Sequence, residues 1–339
     1  MVVALTLILT AAFLLPLIGR LELRSSQVLT PLASFAPLAA LVAVAATLVA
    51  LAAAWWLAVI LAVPTVFLVG WQLPHRRPKP RPAREPGSSS AESQAVTVRF
   101  LTLNALVGRA DPAVIFGHVQ ELQADVLAIE ELTPELVASL TDAGLPERLP
   151  YSCLDPRPGH TGIGLWSSRP LTPLPPVPGV WNPMPRAELD VGWPVTITVV
   201  HPQAPLRGGQ PGWQLDLGRL LAALTGTAGQ QLVAGDFNAS RDHGPFRRLL
   251  AAQFADCADA AEHRPWPGFT WPANRRYPPL MRLDHILVSR LGAIVREART
   301  VAVPGTDHRG VLAVIELQPI PSEGQAAPRD SVSSAGHAE

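Results

Sequence analysis

Lysine is nearly missing from this chain: Lys79 is the only one, and the other basic residues are arginines. Together with 36 prolines and abundant alanine, this reads as a bias of base composition and not as a functional signal. Cysteine is almost as scarce. Cys153 and Cys257 lack the spacing of a metal site and are too few for a disulfide framework, which leaves one disulfide or two free thiols. Net charge is missing as well. The 27 basic residues are matched by 27 acidic ones, so the chain as a whole has no electrostatic leaning towards nucleic acid or a membrane surface. No internal repeat is present.

Charge of either sign is also absent over long stretches. Residues 2–19 carry none, and neither do residues 25–74. One helix over the second run would span ~75 Å at ~1.5 Å per residue. A bilayer core is only ~30 Å thick. That run therefore predicts two spans with a reversal near residues 51–56, and it has no polar face that would suit a soluble helix. With the first run this makes three transmembrane helices within residues 1–75. A cleaved signal peptide is the other reading of residues 1–19, but a basic start and a clear small-x-small cleavage site are lacking.

Arg20 and Arg24 fall in the first loop, while Arg76, Arg77, Lys79, Arg81 and Arg84 follow the last span. With three spans both groups lie on one side, which the positive-inside rule would place in the cytoplasm together with the rest of the chain. Residues 76–95, rich in Pro, Arg, Ser and Glu, read as a linker. Short runs rich in Val, Ile and Leu then recur at 96–103, 126–129, 163–166, 195–200, 232–234, 285–288 and 311–315, and these predict buried strands. Helical spacing recurs at 113–123, 134–140 and 214–224. The expected unit is a strand-rich α/β domain over 96–319, followed by a disordered tail over 320–339.

Polar residues that carry chemistry sit where these strand runs end. Asn104 closes the first and Glu130-Glu131 the second. His201 closes the run at 195–200, and Asp236 and Asn238 close Gln231-Leu-Val-Ala-Gly-Asp-Phe-Asn. Asp284 lies in Arg282-Leu-Asp-His-Ile, and Asp307-His308 precede the last strand. Each alone has an ordinary structural explanation: a turn-forming Asn, a solvated Glu pair, a loop His, an Asp paired with a neighbouring Arg. Asp307-His308 is the best single pair, because a carboxylate beside an imidazole is a common catalytic arrangement. Six such clusters, each closing a strand, point to one active site.

Gly-Asp-Phe-Asn, Arg-Leu-Asp-His-Ile and Asp-His in this order, supported by Asn104 and Glu131, resemble the endonuclease/exonuclease/phosphatase (DNase I-like) superfamily. The resemblance covers 96–319. It implies a four-layered α/β/β/α sandwich and hydrolysis of a phosphoester, a phosphodiester or a lipid pyrophosphate. It also implies roles. Glu131, with Asn104 and Asp307, would hold Mg²⁺ or Mn²⁺. Asp284 would pair with the catalytic His308, Asp236 would orient or deprotonate the attacking water, and His201 and Asn238 would bind phosphate oxygens. Three positions depart from the family pattern. Glu130 stands where the family usually has Gln, and either strengthens metal binding or faces solvent. Val200 and Pro202 flank His201 where the family often has Thr and Leu.

The substrate class is approached through charge. Residues 96–319 hold 19 arginines against 21 acids, a net of 19 − 21 = −2. That does not suit a duplex-binding nuclease, unless Arg247, Arg248, Arg275, Arg276 and Arg282 form a local patch. Trp266, Phe269, Trp271 and Tyr277, interleaved with prolines, either form an apolar rim that touches lipid or pack in the core. Three spans ahead of such a domain are similar to membrane-bound actinobacterial members of the superfamily of the teicoplanin-resistance type. That likeness implies an extracytoplasmic domain acting on envelope lipids, and it is preferred here to the positive-inside reading. The expectation is a membrane-anchored phosphohydrolase. The alternatives are a metal-dependent nuclease and a catalytically inactive, membrane-tethered binding module.

Overall fold

A computed structural model of the chain describes residues 2–21, 26–53, 55–73, 80–81, 95–206, 208–263 and 268–320. Nearly all of the expected linker and of the expected tail lie outside the described residues.

Three N-terminal segments are long and apolar enough to cross a membrane: Ala4–Leu21, Leu29–Ala52 and Trp55–Gln72. The second begins as helix Leu29–Leu32, passes through a 3-10 turn at Ala33–Phe35 and continues as helix Ala36–Ala53. The expected reversal falls between this helix and helix Trp55–Gln72. Small residues let the helices approach closely: Ala39, Ala40, Ala43, Ala46 and Ala50 are all buried in the bundle. Thr65 adds a polar link, its hydroxyl donating to Ala43 O and meeting that of Thr47 at 2.9 Å. Leu7, Ile8, Leu48, Val59, Val63 and Val66 point outwards and are exposed.

Beyond the bundle, twelve strands among the described residues, numbered in chain order, form two six-stranded sheets. The first runs β11 (Ala293–Ala302), β12 (Arg309–Leu317), β1 (Val96–Asn104), β2 (Val126–Glu130), β4 (Ile163–Ser167), β3 (Tyr151–Asp155). The second runs β5 (Leu171–Leu174), β6 (Arg186–Asp190), β7 (Pro194–Val200), β8 (Gln230–Asp236), β10 (Asp284–Ser289), β9 (Phe254–Asp256). Alternation along each strand sends one set of side chains between the sheets and the other outwards. Val98 and Phe100 of β1 join Ile197, Val199, Leu232 and Ile286 in the inner core. Leu101 and Leu103 instead meet Ile115 and Val119 of helix Pro112–Glu121 and Leu136 and Leu140 of helix Pro134–Asp142. On the far side, Val233 and Leu287 meet Trp213, Leu217 and Leu220 of helix Gln210–Thr225 and Phe246 of helix Gly244–Ala252. This is the expected four-layered sandwich. The helix starts are set locally: Asp111 and Thr133 cap the first turns from their side chains, each followed by Pro at the first helical position.

Each sheet contains one parallel pair, β1 with β2 and β7 with β8. The strands of each pair end on the same edge, and those ends deliver Asn104, Glu130 and Glu131 from one sheet and His201 and Asp236 from the other. Antiparallel β10 begins where β8 ends, with Asp284 in register with Asp236.

The helix bundle docks on this domain around residues 240–243 and the helix Gly244–Ala252 that follows them. The buried Arg20 guanidinium pairs with buried Asp242 and lies 4.1 Å over the Trp71 ring. Arg247 donates to Arg20 O (3.0 Å), and His243 Nε2 donates to Thr30 O (2.8 Å).

Candidate active site

Backbone geometry explains why the turn after β8 reads Gly-Asp-Phe-Asn. Gly235 has a φ of +141°, and a Cβ there would stand 2.1 Å from Val200 O on the parallel neighbour β7. Only glycine lets β7 and β8 run this close, and the next residue, Asp236, then projects into the site. Asn238 and Glu131 both hold left-handed conformations, with φ of +46° and +55°. Such backbone costs ~1–3 kcal/mol per residue and clusters at functional sites. Asn238 is secured by its N–H donating to Asp236 Oδ1 (2.7 Å) and its Nδ2 donating to Pro202 O (3.0 Å).

Asp236 is the hub. Asn104 Nδ2 donates to its Oδ2 (3.0 Å) and to Glu131 Oε1 (3.3 Å). His201 Nε2 lies 3.9 Å from Asp236 Oδ2 and 3.8 Å from Glu131 Oε1. His308 Nε2 lies 3.7 Å from Asp236 Oδ2 and 3.9 Å from Asp307 Oδ1. His308 Nδ1 in turn meets Asp284 Oδ2 at 2.9 Å. A cavity of about 480 Å³ is lined by Asn104, Glu131, His201, Asp236, Asn238, Asp307 and His308. Asp284 stands behind His308, fully buried.

The charges shape one another. Burial opposes the charged form of His308, but Asp284, Asp236 and Asp307 outweigh it and raise the ring to about 10. Burial lifts the Asp236 carboxyl above its ordinary range, against the pull of His308 and His201. Glu130 does not face solvent: it is fully buried, accepts a hydrogen bond from the Thr102 hydroxyl (2.9 Å), and has no partner for Oε2. Burial, reinforced by Asp284 and Asp236, pushes its carboxyl well above the usual range. That shift favours the uncharged acid, which is closer in polarity to the Gln that the family resemblance implies at this position.

Two oxygen-bearing groups suit a hard divalent cation. Glu131 is held by Val107 N–H (2.8 Å) and by Asn104. Asp307 takes a hydrogen bond from Trp271 Nε1 on Oδ2 (3.0 Å), while its buried Oδ1 has no hydrogen-bond partner. Asn104 Oδ1 accepts from Leu106 N–H (2.9 Å). Asp236, Asp284 and His308 also bring one ligand atom each within 4.8 Å of one another. Because His308 Nδ1 is turned to Asp284 there, that group reads as an acid–base set before it reads as a metal cage.

Sequence reasoning missed His160, whose Nδ1 lies 3.0 Å from Glu131 Oε2. Its signal was faint: a Gly-His-Thr-Gly loop just before β4, with no strand end to mark it. Trp181 and Asn182, also on the cavity wall, were missed too; Asn182 Nδ2 donates to His201 O (2.8 Å). The expected aromatic rim divides. Trp266 lies outside the described residues. Trp271 supports Asp307, Tyr277 is exposed, and Phe269 faces the helix bundle. Of the five arginines named as candidates for a local patch, two are engaged elsewhere: Arg282 is ion-paired with Asp256 and Asp259, and Arg247 is turned to the bundle.

The model of the Endonuclease/Exonuclease/phosphatase family matches residues 101–308, more than half of the chain. The chain belongs to this family. The matched span runs from inside β1 to His308 and so contains every site residue named above. Solved structures agree in fold. An endonuclease/exonuclease/phosphatase family protein from Bacteroides thetaiotaomicron is 16% identical with a TM-score of 0.51, the match covering 66% of this chain and 96% of that one. D. rerio TDP2 complexed with single strand DNA product is 15% identical with a TM-score of 0.51, covering 65% and 98%. A Bacteroides thetaiotaomicron mannosyl-6-phosphatase is 16% identical with a TM-score of 0.50, covering 64% and 99%. No curated protein matches the chain in sequence. Members of the endonuclease/exonuclease/phosphatase family are typically phosphoesterases that use divalent metals, and the Glu131 and Asp307 oxygens suit such an ion.

Proposed function

We propose that this chain is a membrane-anchored, Mg²⁺- or Mn²⁺-dependent hydrolase acting on the phosphate of a membrane amphiphile, as a phosphoester, phosphodiester or lipid pyrophosphate. The observation that carries the reading is the convergence on Asp236 of Asn104, His201 and His308, drawn from both sheets into one cavity. Glu131 and Asp307, with Asn104, would hold the ion, which supplies Lewis-acid stabilisation of charge on phosphate oxygens. Asp236 orients the attacking water and accepts its proton. His308, charged and held by Asp284, donates to an oxygen of the phosphoryl group, and His201 and Asn238 bind the others. Donors fixed in a partly buried site stabilise developing charge more than they would in water.

The lipid-side reading is supported by three apolar helices and by their attachment to Asp242, four residues beyond Asn238. Trp181, on the cavity wall, is 70% exposed. Placement outside the cytoplasm is carried over from the likeness to membrane-bound members of the superfamily, and it runs against the positive-inside bias of Arg76, Arg77, Lys79, Arg81 and Arg84.

The test uses the full chain in detergent micelles, offered a lipid pyrophosphate, a phosphoinositide, sphingomyelin and plasmid DNA. Turnover of a lipid substrate that needs added Mg²⁺, stops with EDTA and stops in His308→Ala is the expected result. Turnover that persists in both cases would sink the assignment. Plasmid nicking with no lipid turnover would favour the nuclease reading, and tight ligand binding without turnover the inactive module. A C-terminal reporter fusion reads the topology separately.

A further inference from the structure

A second cavity of about 400 Å³ lies between the helix bundle and the sandwich, well within the size of ordinary ligand pockets (~300–1,000 Å³). Residues from both parts build it. Leu38, Leu41 and Val44 come from the second membrane segment, Val69 from the third, and Ser240, Arg241 and Phe269 from the catalytic domain. It is separate from the active-site cavity, with which it shares no lining residue.

Its chemistry is graded with depth. Ser34, Gln72, Ser240, Arg241 and Asp242 line the part nearest the helix ends. Leu41 and Val44 lie ten and more residues further along the second span from Leu29, where a bilayer is hydrocarbon. That deeper side is open: Leu41 is 69% exposed and Val44 and Val69 are each 38% exposed, so the cavity runs into the outward, lipid-facing surface of the bundle. At the polar end, Asp242 is paired with Arg20, and Asp259 with Arg282 at 3.0 Å. Arg241 is held more loosely. Its Nη1 is buried without a hydrogen-bond partner, and its ion pair with Asp259 Oδ2 is long at 3.9 Å, while Arg282 takes Asp259 Oδ1 at 3.0 Å. A buried guanidinium donor without an acceptor costs free energy unless an anion meets it.

We propose that this cavity is a lipid site: one acyl chain of an anionic phospholipid lies along Leu38, Leu41, Val44 and Phe269, and its phosphate meets Arg241. The occupant enters from the bilayer and not from water, because the open side of the cavity is the apolar one. The inference rests on the membrane insertion proposed above but not on the hydrolase reading, and its test needs no turnover.

The full chain is reconstituted in phosphatidylcholine nanodiscs containing a phosphatidylglycerol with a diazirine on one acyl chain. After irradiation, labelled residues are mapped by mass spectrometry. Labelling of Phe269 or of Ser240–Asp242 together with Leu38–Val44 is expected. Unlabelled phosphatidylglycerol should compete several-fold better than phosphatidylcholine, and Arg241→Gln should remove that preference. Val44→Trp and Leu41→Trp, both at positions already exposed, should each cut wall labelling several-fold while leaving labelling of Ile8 and Val59 unchanged. Labelling confined to outward helix faces, or wall labelling that neither tryptophan reduces, overturns the site. Equal competition by the two lipids in the unaltered chain overturns its anionic part. A chain that does not float with vesicles overturns the anchoring, and the site with it.

Discussion

Asp284 Oδ2 lies 2.9 Å from His308 Nδ1, across the join between the start of β10 in one sheet and the loop entering β12 in the other. The carboxylate fixes which ring nitrogen faces the cavity and stabilises the charged ring. Asp284→Asn keeps the shape but replaces the charge. It is expected to lower kcat by on the order of 10²–10⁴-fold with little change in KM. Steady-state kinetics with the best substrate of the panel checks this; a change confined to KM would assign Asp284 to binding.

Glu130 is expected to tolerate amidation. The fold keeps its carboxyl protonated well above the ordinary 4.5. As pH rises past that value, the unfolded chain releases a proton that the fold retains, so this group's contribution falls until its folded pKa is passed. Glu130→Gln should preserve activity and raise thermal stability at neutral pH and above, with the gain vanishing near pH 4. Loss of activity with unchanged stability would show that the carboxyl has a chemical role.

His243 should set an acid limit on the docking of the helix bundle. Ser240 N–H donates to its Nδ1 and its Nε2 donates to Thr30 O, a pattern that only the neutral ring satisfies. Burial lowers its pKa from 6.5 to about 4. The unfolded or undocked ring takes up a proton first as pH falls, so stability present above pH 6.5 is lost progressively towards pH 4, by ~3 kcal/mol. Melting curves in detergent should show this slope, and His243→Gln should flatten it.

Arg20 and Asp242 form a buried pair whose members cannot be removed singly without cost. Asp242→Ala strands the guanidinium and is expected to destabilise by ~3–5 kcal/mol, whereas Arg20→Met with Asp242→Leu should recover most of that loss. Thermal unfolding of the single and double variants measures the difference. A double variant no better than Asp242→Ala would show that the pair itself drives docking.

The parts of this fold that were legible in sequence are the parts buried on both faces. All seven runs of Val, Ile and Leu lie in strands, because a central strand needs apolar residues in both directions. The strands that were not foreseen sit at or near sheet edges. β5 carries Pro173 and exposed side chains, and β11 alternates apolar and charged residues, which reads as poorly as a loop. The helix Gly244–Ala252 escaped notice because its Arg247-Arg248 pair interrupts the apolar spacing. In the site, Asn104, Glu131, His201, Asp236, Asp284 and His308 were legible because each closes or opens a strand. His160 arrives from a loop that leaves no periodic trace. Burial of Glu130 was not legible either, since a Glu-Glu pair looks solvated until the Glu130 side chain is seen to follow Val126 and Ala128 into the space between the two sheets.

Asn104 and Asp236 meet across 132 residues of chain, and the proposed catalytic group divides between the sheets: Asn104, Glu131, Asp307 and His308 from one, His201, Asp236 and Asp284 from the other. The strands of the second sheet form one uninterrupted stretch of sequence, inserted between β4 and β11 of the first. Neither sheet owns a working site, so catalysis begins only when the last and least local contacts of folding close. Recovered turnover is thus a clock for sheet–sheet docking: after dilution from denaturant it should lag behind the return of secondary structure and coincide with burial of Phe100 and Ile197 between the sheets.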